Sequence, residues 1–377
     1  MRAAAAILGG GILGALSSLM LVREGRSVRW LATPEPPQRE DGAHQRAYAL
    51  SPRTVALLKD LGVWGGLEAL AQPVVKMEVS HVQPGAQVDL LPHASGRDEL
   101  SHMVLHADLL RACDEAVAAE PQIIRCEGFE PPSRRVESMD ETLAEAGLTE
   151  GLVVDATGSQ SWLRRASGVH WGLRDYGQLA LVARFSSQVP HQGVACQWFR
   201  REGILALLPL RDPSAVSMVY SMPSAAAHKL SELSEEDLSL RVTEDSLHRF
   251  GSLRLESLVT STPLSMMTTE RFALGRVFWV GDSAHTVHPL AGYGLNLGVE
   301  DLLALKDALA SRSPASHYNR SRAFRVPAVQ WGLDALFRLV SSTVPAIPSL
   351  RSLGIQALQS TPSLRDWVVQ RVIGDPR

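Results

Sequence analysis

Residues Ala3 to Val22 carry no charged side chain, and Gly9, Gly10, Gly11 and Gly14 interrupt them. A run of about twenty apolar residues can span a bilayer, and Arg2 in front of it also fits the start of a secretory signal. The bunched glycines favour a different reading. Ala3–Leu8 reads as a short buried strand, and Gly9-Gly10-Gly11-Ile12-Leu13-Gly14 matches G-x-G-x-x-G. A helix from Ala15 to Glu24 ends at Gly25, and Ser27 to Ala32 forms a second strand. Gly9 then permits the tight turn, Gly11 lets the backbone approach a pyrophosphate, and Gly14 lets helix and strand pack closely. The phosphates sit at the helix N-terminus, where free N–H groups and the dipole favour an anion. Such a unit ordinarily ends its second strand in Asp or Glu, which holds the ribose hydroxyls. Here that position is Ala32, and the next acid, Glu35, lies among Pro34, Pro36 and Pro37.

Composition narrows the class further. The chain has 377 residues, enough for two domains or one large domain with an insertion. Hydrophobic residues make up 45% and charged residues 20%, the values of an ordinary globular protein. Forty acids against 37 Lys plus Arg leave a net charge of −3, which argues against nucleic acid as a partner. Cys113, Cys126 and Cys196 are widely spaced and give neither a disulfide framework nor a metal knuckle, in keeping with a cytoplasmic protein.

A second glycine motif lies far downstream. Arg276–Val280 reads as a buried strand. It runs into Gly281-Asp282-Ser283-Ala284-His285-Thr286-Val287-His288-Pro289-Leu290-Ala291-Gly292-Tyr293-Gly294-Leu295-Asn296-Leu297-Gly298, and a helix follows. A carboxylate just past a strand can accept hydrogen bonds from sugar or ribityl hydroxyls. Gly292 and Gly294 expose N–H groups at a helix N-terminus, suited to a ring edge that gains negative charge. His285 and His288 stand three apart, but no third ligand follows at helical spacing, so no metal is expected.

The two motifs together resemble those of the class A flavin monooxygenases related to para-hydroxybenzoate hydroxylase, and above all the ubiquinone-biosynthesis hydroxylases. In that family the run G-D-A-A-H-x-x-H-P-x-A-G-Q-G-L-N-L-G is characteristic, and Ser283 and Tyr293 are the two departures here. Further matches are Arg46-Ala-Tyr-Ala-Leu50-Ser51, Leu61–Trp64, Val104–Cys113, Gln197–Phe199, Leu205–Leu210 and Tyr318–Arg322. The resemblance implies FAD as cofactor. Gly9, Gly11 and Gly14 would contact its pyrophosphate, Arg46 would lie near its phosphates, and Asp282 would bind the ribityl chain. Pro289, Gly292 and Gly294 would border the flavin ring, with Asn296 supporting their loop. Tyr293, Leu208 and Pro209 would face the substrate, and no catalytic acid or base is assignable.

The same resemblance implies an α/β fold. A discontinuous, Rossmann-like FAD-binding domain (1–75, 100–166 and 268–310) would carry an inserted β-sheet substrate domain (76–99 and 167–267) and a C-terminal helical region (311–377). In the inserted part, Leu179–Arg184 and Ala215–Tyr220 read as strands and Glu235–Phe250 as a helix capped by Ser234. Cys126–Thr149 is acid-rich and shows no period-2 alternation. In the tail, apolar residues at helical spacing (Val329, Leu333, Leu336, Phe337 and Val340, then Leu350–Leu358 and Leu364–Val372) form either a packed helical subdomain or an amphipathic patch for a membrane or partner.

The implied activity is hydroxylation of a phenolic ring with O2 through a flavin C4a-hydroperoxide. The substrate would be a prenylated lipid phenol of ubiquinone biosynthesis or a soluble phenol. Peripheral contact with a membrane or a multi-enzyme complex is left open. The family's second fingerprint, G-A-D-G followed by Ser and Arg, appears here as Asp155-Ala156-Thr157-Gly158 with Ser161 and Arg164. Loss of its Asp at Thr157 leaves the reductant, NADH or NADPH, unassigned. With Ala32 and Tyr293 it also keeps a second reading alive, a catalytically degenerate flavin-binding or scaffold subunit of a hydroxylase complex. A nicotinamide-only dehydrogenase would leave the 281–298 run unexplained.

Overall fold

The computed structural model describes residues 4–32, 46–81, 87–92, 98–132, 138–200, 202–287 and 292–341. Statements below concern these residues. Glu35, His288, Pro289 and the tail positions beyond 341 lie outside them.

Three sheets organise the chain. The first is six-stranded, in the order 273–274, 277–279, 152–155, 5–8, 28–32, 123–127. Its inner pairings are all parallel: Ala5 faces Val28 on one side and Leu152 on the other, Val28 faces Ile123, and Val277 faces Val153. The strand Ala5–Leu8 is fully buried, as a central parallel strand covered on both faces should be.

The helix that follows runs from Ile12 to Arg23, three residues earlier than the spacing predicts, with Gly11 as its N-cap. Ten of its residues are buried and no polar face exists, because the sheet covers one side and the helices His106–Ala118 and Gly294–Leu309 cover the other. Ser17 and Ser18 satisfy their hydroxyls on the carbonyls of Leu13 and Gly14, at 2.6 and 2.9 Å. The uncharged N-terminal run is therefore strand, turn and buried helix. No helix among the described residues is long and apolar enough to cross a membrane.

The second sheet has eight strands. Trp171–Ser187 is its long central member, pairing antiparallel with Ala215–Pro223, Thr260–Thr269 and Leu253–Leu255. The sheet continues through Ile204–Pro209 and Val194–Phe199 to Lys76–His81 and Gln87–Leu90. Both strands expected in this region are present and longer than read. The helix expected over Glu235–Phe250 stops at Asp245: Ser234 caps it through Asp237 N at 3.1 Å, and Leu247 and His248 then take left-handed φ of 54°. The third sheet, Ala47–Leu50, Ser101–Leu105 and Gln72–Val74, lies between the other two in the chain path. Its residues Ala47, Ala49 and Met103 pack in one cluster with Ala195 and Leu208 of the large sheet.

The 126–149 region holds more order than its composition shows. Ile123–Glu127 is the edge strand of the parallel sheet, and Met139–Glu145 is a helix capped by Ser138. The tail begins as one long helix, Pro314–Ser341.

Candidate functional site

The glycines of the first motif meet three different demands. Gly9 has φ +108°, and a Cβ there would stand 2.4 Å from the carbonyl oxygen of Ala156. A Cβ on Gly14 would stand 2.0 Å from Gly9 O. A Cβ on Gly11 would meet no protein atom within 4 Å, so packing alone does not require glycine there. Trp30, which the sequence reading passed over, completes the turn by donating its indole N–H to Gly9 O at 2.8 Å.

The two distant motifs meet on Leu13. A Cβ built on Gly281 would lie 2.2 Å from Leu13 Cδ1, and one on Gly298 would lie 2.5 Å from the same atom. Glycine at both positions lets the downstream loop and its helix close onto the upstream motif. The loop is also held from behind. The buried Asp301 accepts from Gly281 N at 2.8 Å and pairs with His285 Nε2 at 2.7 Å. Burial pushes the Asp301 carboxyl up, but His285 and Arg322 outweigh it and hold it below the usual range. His285 is thus a structural histidine. Among the described residues no cluster of His, Cys, Asp and Glu could hold a metal ion.

The Thr-Gly turn after Leu152–Asp155 is anchored to the same loop. Asp155 is fully buried, and its carboxylate accepts from Thr157 N, Thr157 Oγ1 and Ser161 Oγ at 2.9, 2.6 and 2.6 Å. Its carbonyl accepts from Ser283 Oγ at 2.6 Å, and Arg164 donates to the carbonyls of Ser283 and Ser159. Thr157 therefore turns its hydroxyl inward, onto the residue that replaces the family glycine.

The downstream loop and the turn at Ser159 border one cavity of about 350 Å3, and no residue of the Gly9–Gly14 turn lies on its wall. Arg46, Asp282, Gly292, Gly294 and Asn296 lie on its wall, and Leu208 lies on the wall contributed by the large sheet. Arg46 and Asp282 are the only charged residues on that wall among the described residues. The Asp282 side chain lies open on the cavity wall and has no hydrogen-bond partner among the described residues. The protein packed around it raises its pKa, against the pull of Arg46 and His285 and with the push of Asp301. Asn296 is held by protein at both ends of its amide: its Oδ1 accepts from Ser51 N and Thr54 Oγ1 at 2.9 and 2.8 Å, and its Nδ2 donates to Ala49 O at 2.8 Å. It ties the helix start to the strand Ala47–Leu50. Gly292 has φ +60°, and its Cβ position lies 3.7 Å from the Cβ of Ala49.

Two residues expected to face the substrate do not line the cavity. Ile204, Ala206 and Leu208 line it at period two, so Pro209 falls on the opposite face of its strand and is buried there. Tyr293 points into the protein, where its hydroxyl meets Glu300 and Arg325. Pro289, expected beside the cofactor ring, lies outside the described residues.

A family model described as an FAD binding domain matches residues 2–314. The chain belongs to the FAD binding domain family. As the paired motifs imply, it is a class A flavoprotein monooxygenase, and its cofactor is FAD. Among curated relatives, 3-demethoxyubiquinol 3-hydroxylase of Escherichia coli K12 is 27% identical over 390 residues, covering 98% of each chain. Ubiquinone hydroxylase UbiL of Rhodospirillum rubrum is 26% identical, covering 98% of this chain and 89% of the relative. Among solved structures, p-nitrophenol 4-monooxygenase PnpA from Pseudomonas putida DLL-E4 superposes with a TM-score of 0.74 at 17% identity, over 99% of this chain and 98% of that one. The FAD-binding fold is thus shared along the chain, and the site is compatible with the cofactor. The outer face of Gly11 is open, Asp282 offers an unpartnered acceptor, and Gly294 opens a helix toward the cavity.

Proposed function

We propose that the chain hydroxylates a neutral phenol carrying an apolar substituent, using the cavity between the downstream glycine loop and the large sheet. Residues 1–75, 100–166 and 268–310 would form the FAD-binding domain, with 76–99 and 167–267 closing over it as the substrate domain. Gly9, Gly11 and Gly14 would take the pyrophosphate, Arg46 would neutralise phosphate charge, and Asp282 would accept from the ribityl hydroxyls. Gly292 and Gly294 would place backbone N–H groups at the ring edge that gains negative charge, and Asn296 would hold their loop in place. Bound FAD supplies the activation of O2 and the oxygen atom that enters the ring. The chain's own task is to hold the ring, exclude water and stabilise charge.

The observation that carries this reading is the cavity's division of chemistry. Its two charged residues belong to the loop side, and its sheet side is built from Ala, Val, Ile, Leu and Met with few polar groups. The names of the curated relatives point the same way, toward a prenylated phenol of ubiquinone biosynthesis, with a soluble phenol as the other member of that class.

The test is spectroscopic. Purified protein should be yellow, release FAD on denaturation, and convert an alkylphenol to a product one oxygen atom heavier when supplied with a reductant and O2. Protein that neither retains nor binds FAD would refute the reading. A second reading, a flavin-binding subunit reduced by another protein, is favoured by the inward turn of Thr157, which offers no carboxylate to a nicotinamide. Anaerobic NADH and NADPH that leave the flavin oxidised, with and without the phenol, would support it.

A further inference from the structure

The apolar half of the cavity contains an amide with nothing to bond. Gln197 sits in the middle of Val194–Phe199, is 5% exposed, and lines the cavity. Among the described residues its side chain makes no hydrogen bond. Its neighbours across the sheet are apolar: Gln197 stands opposite Ala206, Ala206 opposite Val219, and Val219 opposite Val182. The amide atoms are open to the cavity and not sealed in the protein, so a molecule in the cavity can bond to them. A fold keeps such a group where something other than the protein supplies the partner.

The position of Gln197 fits a ring-anchoring role. Two residues back along its strand, Ala195 packs in one cluster with Ala49 and Leu208. The Cβ of Ala49 is in turn the protein atom nearest a Cβ built on Gly292. Two residues of strand measure roughly 7 Å, which leaves room for one aromatic ring between Gln197 and the glycine loop. Ser221 also lines the cavity and is equally buried. Among the described residues it likewise makes no hydrogen bond, but its hydroxyl is short, whereas the Gln197 amide reaches further with both an acceptor and a donor.

We infer that Gln197 is the specificity-determining residue of the cavity, the amide that accepts the substrate's phenolic O–H and so fixes which ring edge faces the glycine loop. The inference rests on the hydroxylase reading above. A neutral amide, with no cation beside it, selects a neutral phenol over a carboxylated one.

The test uses FAD-loaded protein titrated with 4-hexylphenol and with hexylbenzene, which lacks only the hydroxyl, following the perturbation of flavin absorbance. Wild type should bind the phenol at least about tenfold more tightly. Gln197→Leu should reduce that preference to within about twofold, with flavin content and Tm unchanged, while Ser221→Ala should leave it intact. Gln197→Met, closer in shape, carries the same expectation if the Leu variant fails to retain flavin. A preference that survives both Gln197 variants, or that vanishes in Ser221→Ala alone, overturns the inference and leaves the hydroxylase reading standing. FAD-loaded wild type that binds neither compound overturns both.

Discussion

The Tyr293 hydroxyl donates to Glu300 Oε1 at 2.6 Å, from the N-cap onto the body of the helix Gly294–Leu309 and away from the cavity. Arg325, from the long C-terminal helix, completes the cluster: its Nε and Nη2 donate to Glu300 at 2.8 Å each, and Nη2 also reaches the Tyr293 oxygen at 2.9 Å. Burial raises the Tyr293 pKa, while Arg325 and Tyr293 together keep Glu300 below its usual value despite its burial. The residue that departs from the family pattern between Gly292 and Gly294 is thus part of a joint between the loop and the tail.

Tyr293→Phe should therefore act on stability and not on substrate choice. Removing a hydroxyl bonded to charged groups costs about 1–3 kcal/mol. A thermal melt should show the loss, and flavin affinity should fall with it, while the ratio of KM values for two alkylphenols stays at its wild-type value. An altered ratio in a variant of unchanged Tm would place Tyr293 back at the substrate.

Gly11 and Gly14 should separate cofactor binding from folding. Gly14→Ala drives a methyl group into Gly9 O, so the turn must open and the apo-protein should be strongly destabilised. Gly11→Ala meets no protein atom, and its extended φ of −80° suits alanine. Its folding cost should stay within about 1 kcal/mol, the difference between Gly and Ala at an N-cap, while FAD affinity drops at least about tenfold. Denaturant unfolding of apo-protein and flavin titration give the two readings. Gly11→Ala with wild-type flavin affinity would remove that residue from the pyrophosphate site.

Much of this was legible because glycine patterns report backbone geometry directly. The positive φ of Gly9 and the close approach at Gly14 are demands that other residues could not meet. What escaped has equally physical causes. Trp30 caps the turn through an indole nitrogen, and nothing in an apolar strand signals where that N–H points. Ile123–Glu127 is an edge strand with Ile124 mostly exposed, so it lacks the alternation of a half-buried strand. The inward turn of Tyr293 depends on Arg325, which lies on another helix, although Glu300 one heptad on was a usable hint. Pro209 was decidable in principle, since strict alternation from Ile204 already assigned it to the far face.

Glu78 should make acid stability depend on the joint between the large sheet and the 246–251 turn. Arg249 donates to both of its oxygens, at 2.7 and 3.1 Å, and together with Lys76 at 3.0 Å lowers its pKa to about 2. A depressed carboxylate contributes stability that is complete above its ordinary value of 4.5 and is lost as pH falls toward about 2. Glu78→Gln should cost about 1–3 kcal/mol at pH 7. Unfolding curves of variant and wild type should converge as pH drops below 4.5. A gap that persists unchanged to the lowest pH at which both remain folded would mean that packing, not charge, carries the effect.

Asp282 should show the opposite sign. The protein packed around it raises its carboxyl above the ordinary range, so in the flavin-free protein the ionised form opposes folding, by an amount that solvent reaching the open cavity wall keeps small. The native state then binds a proton more readily than the unfolded chain. Stability from this group is greatest below the ordinary carboxylate pKa and falls as pH rises through the raised one. Asp282→Asn removes the charge and keeps the shape, so the apo-variant should melt above wild type at neutral pH, and the two should converge in acid. Flavin retention should move the other way, because an amide presents one acceptor oxygen to the ribityl hydroxyls where a carboxylate presents two. A variant that is both less stable without flavin and unchanged in holding it would show that Asp282 supports the loop and does not serve the cofactor.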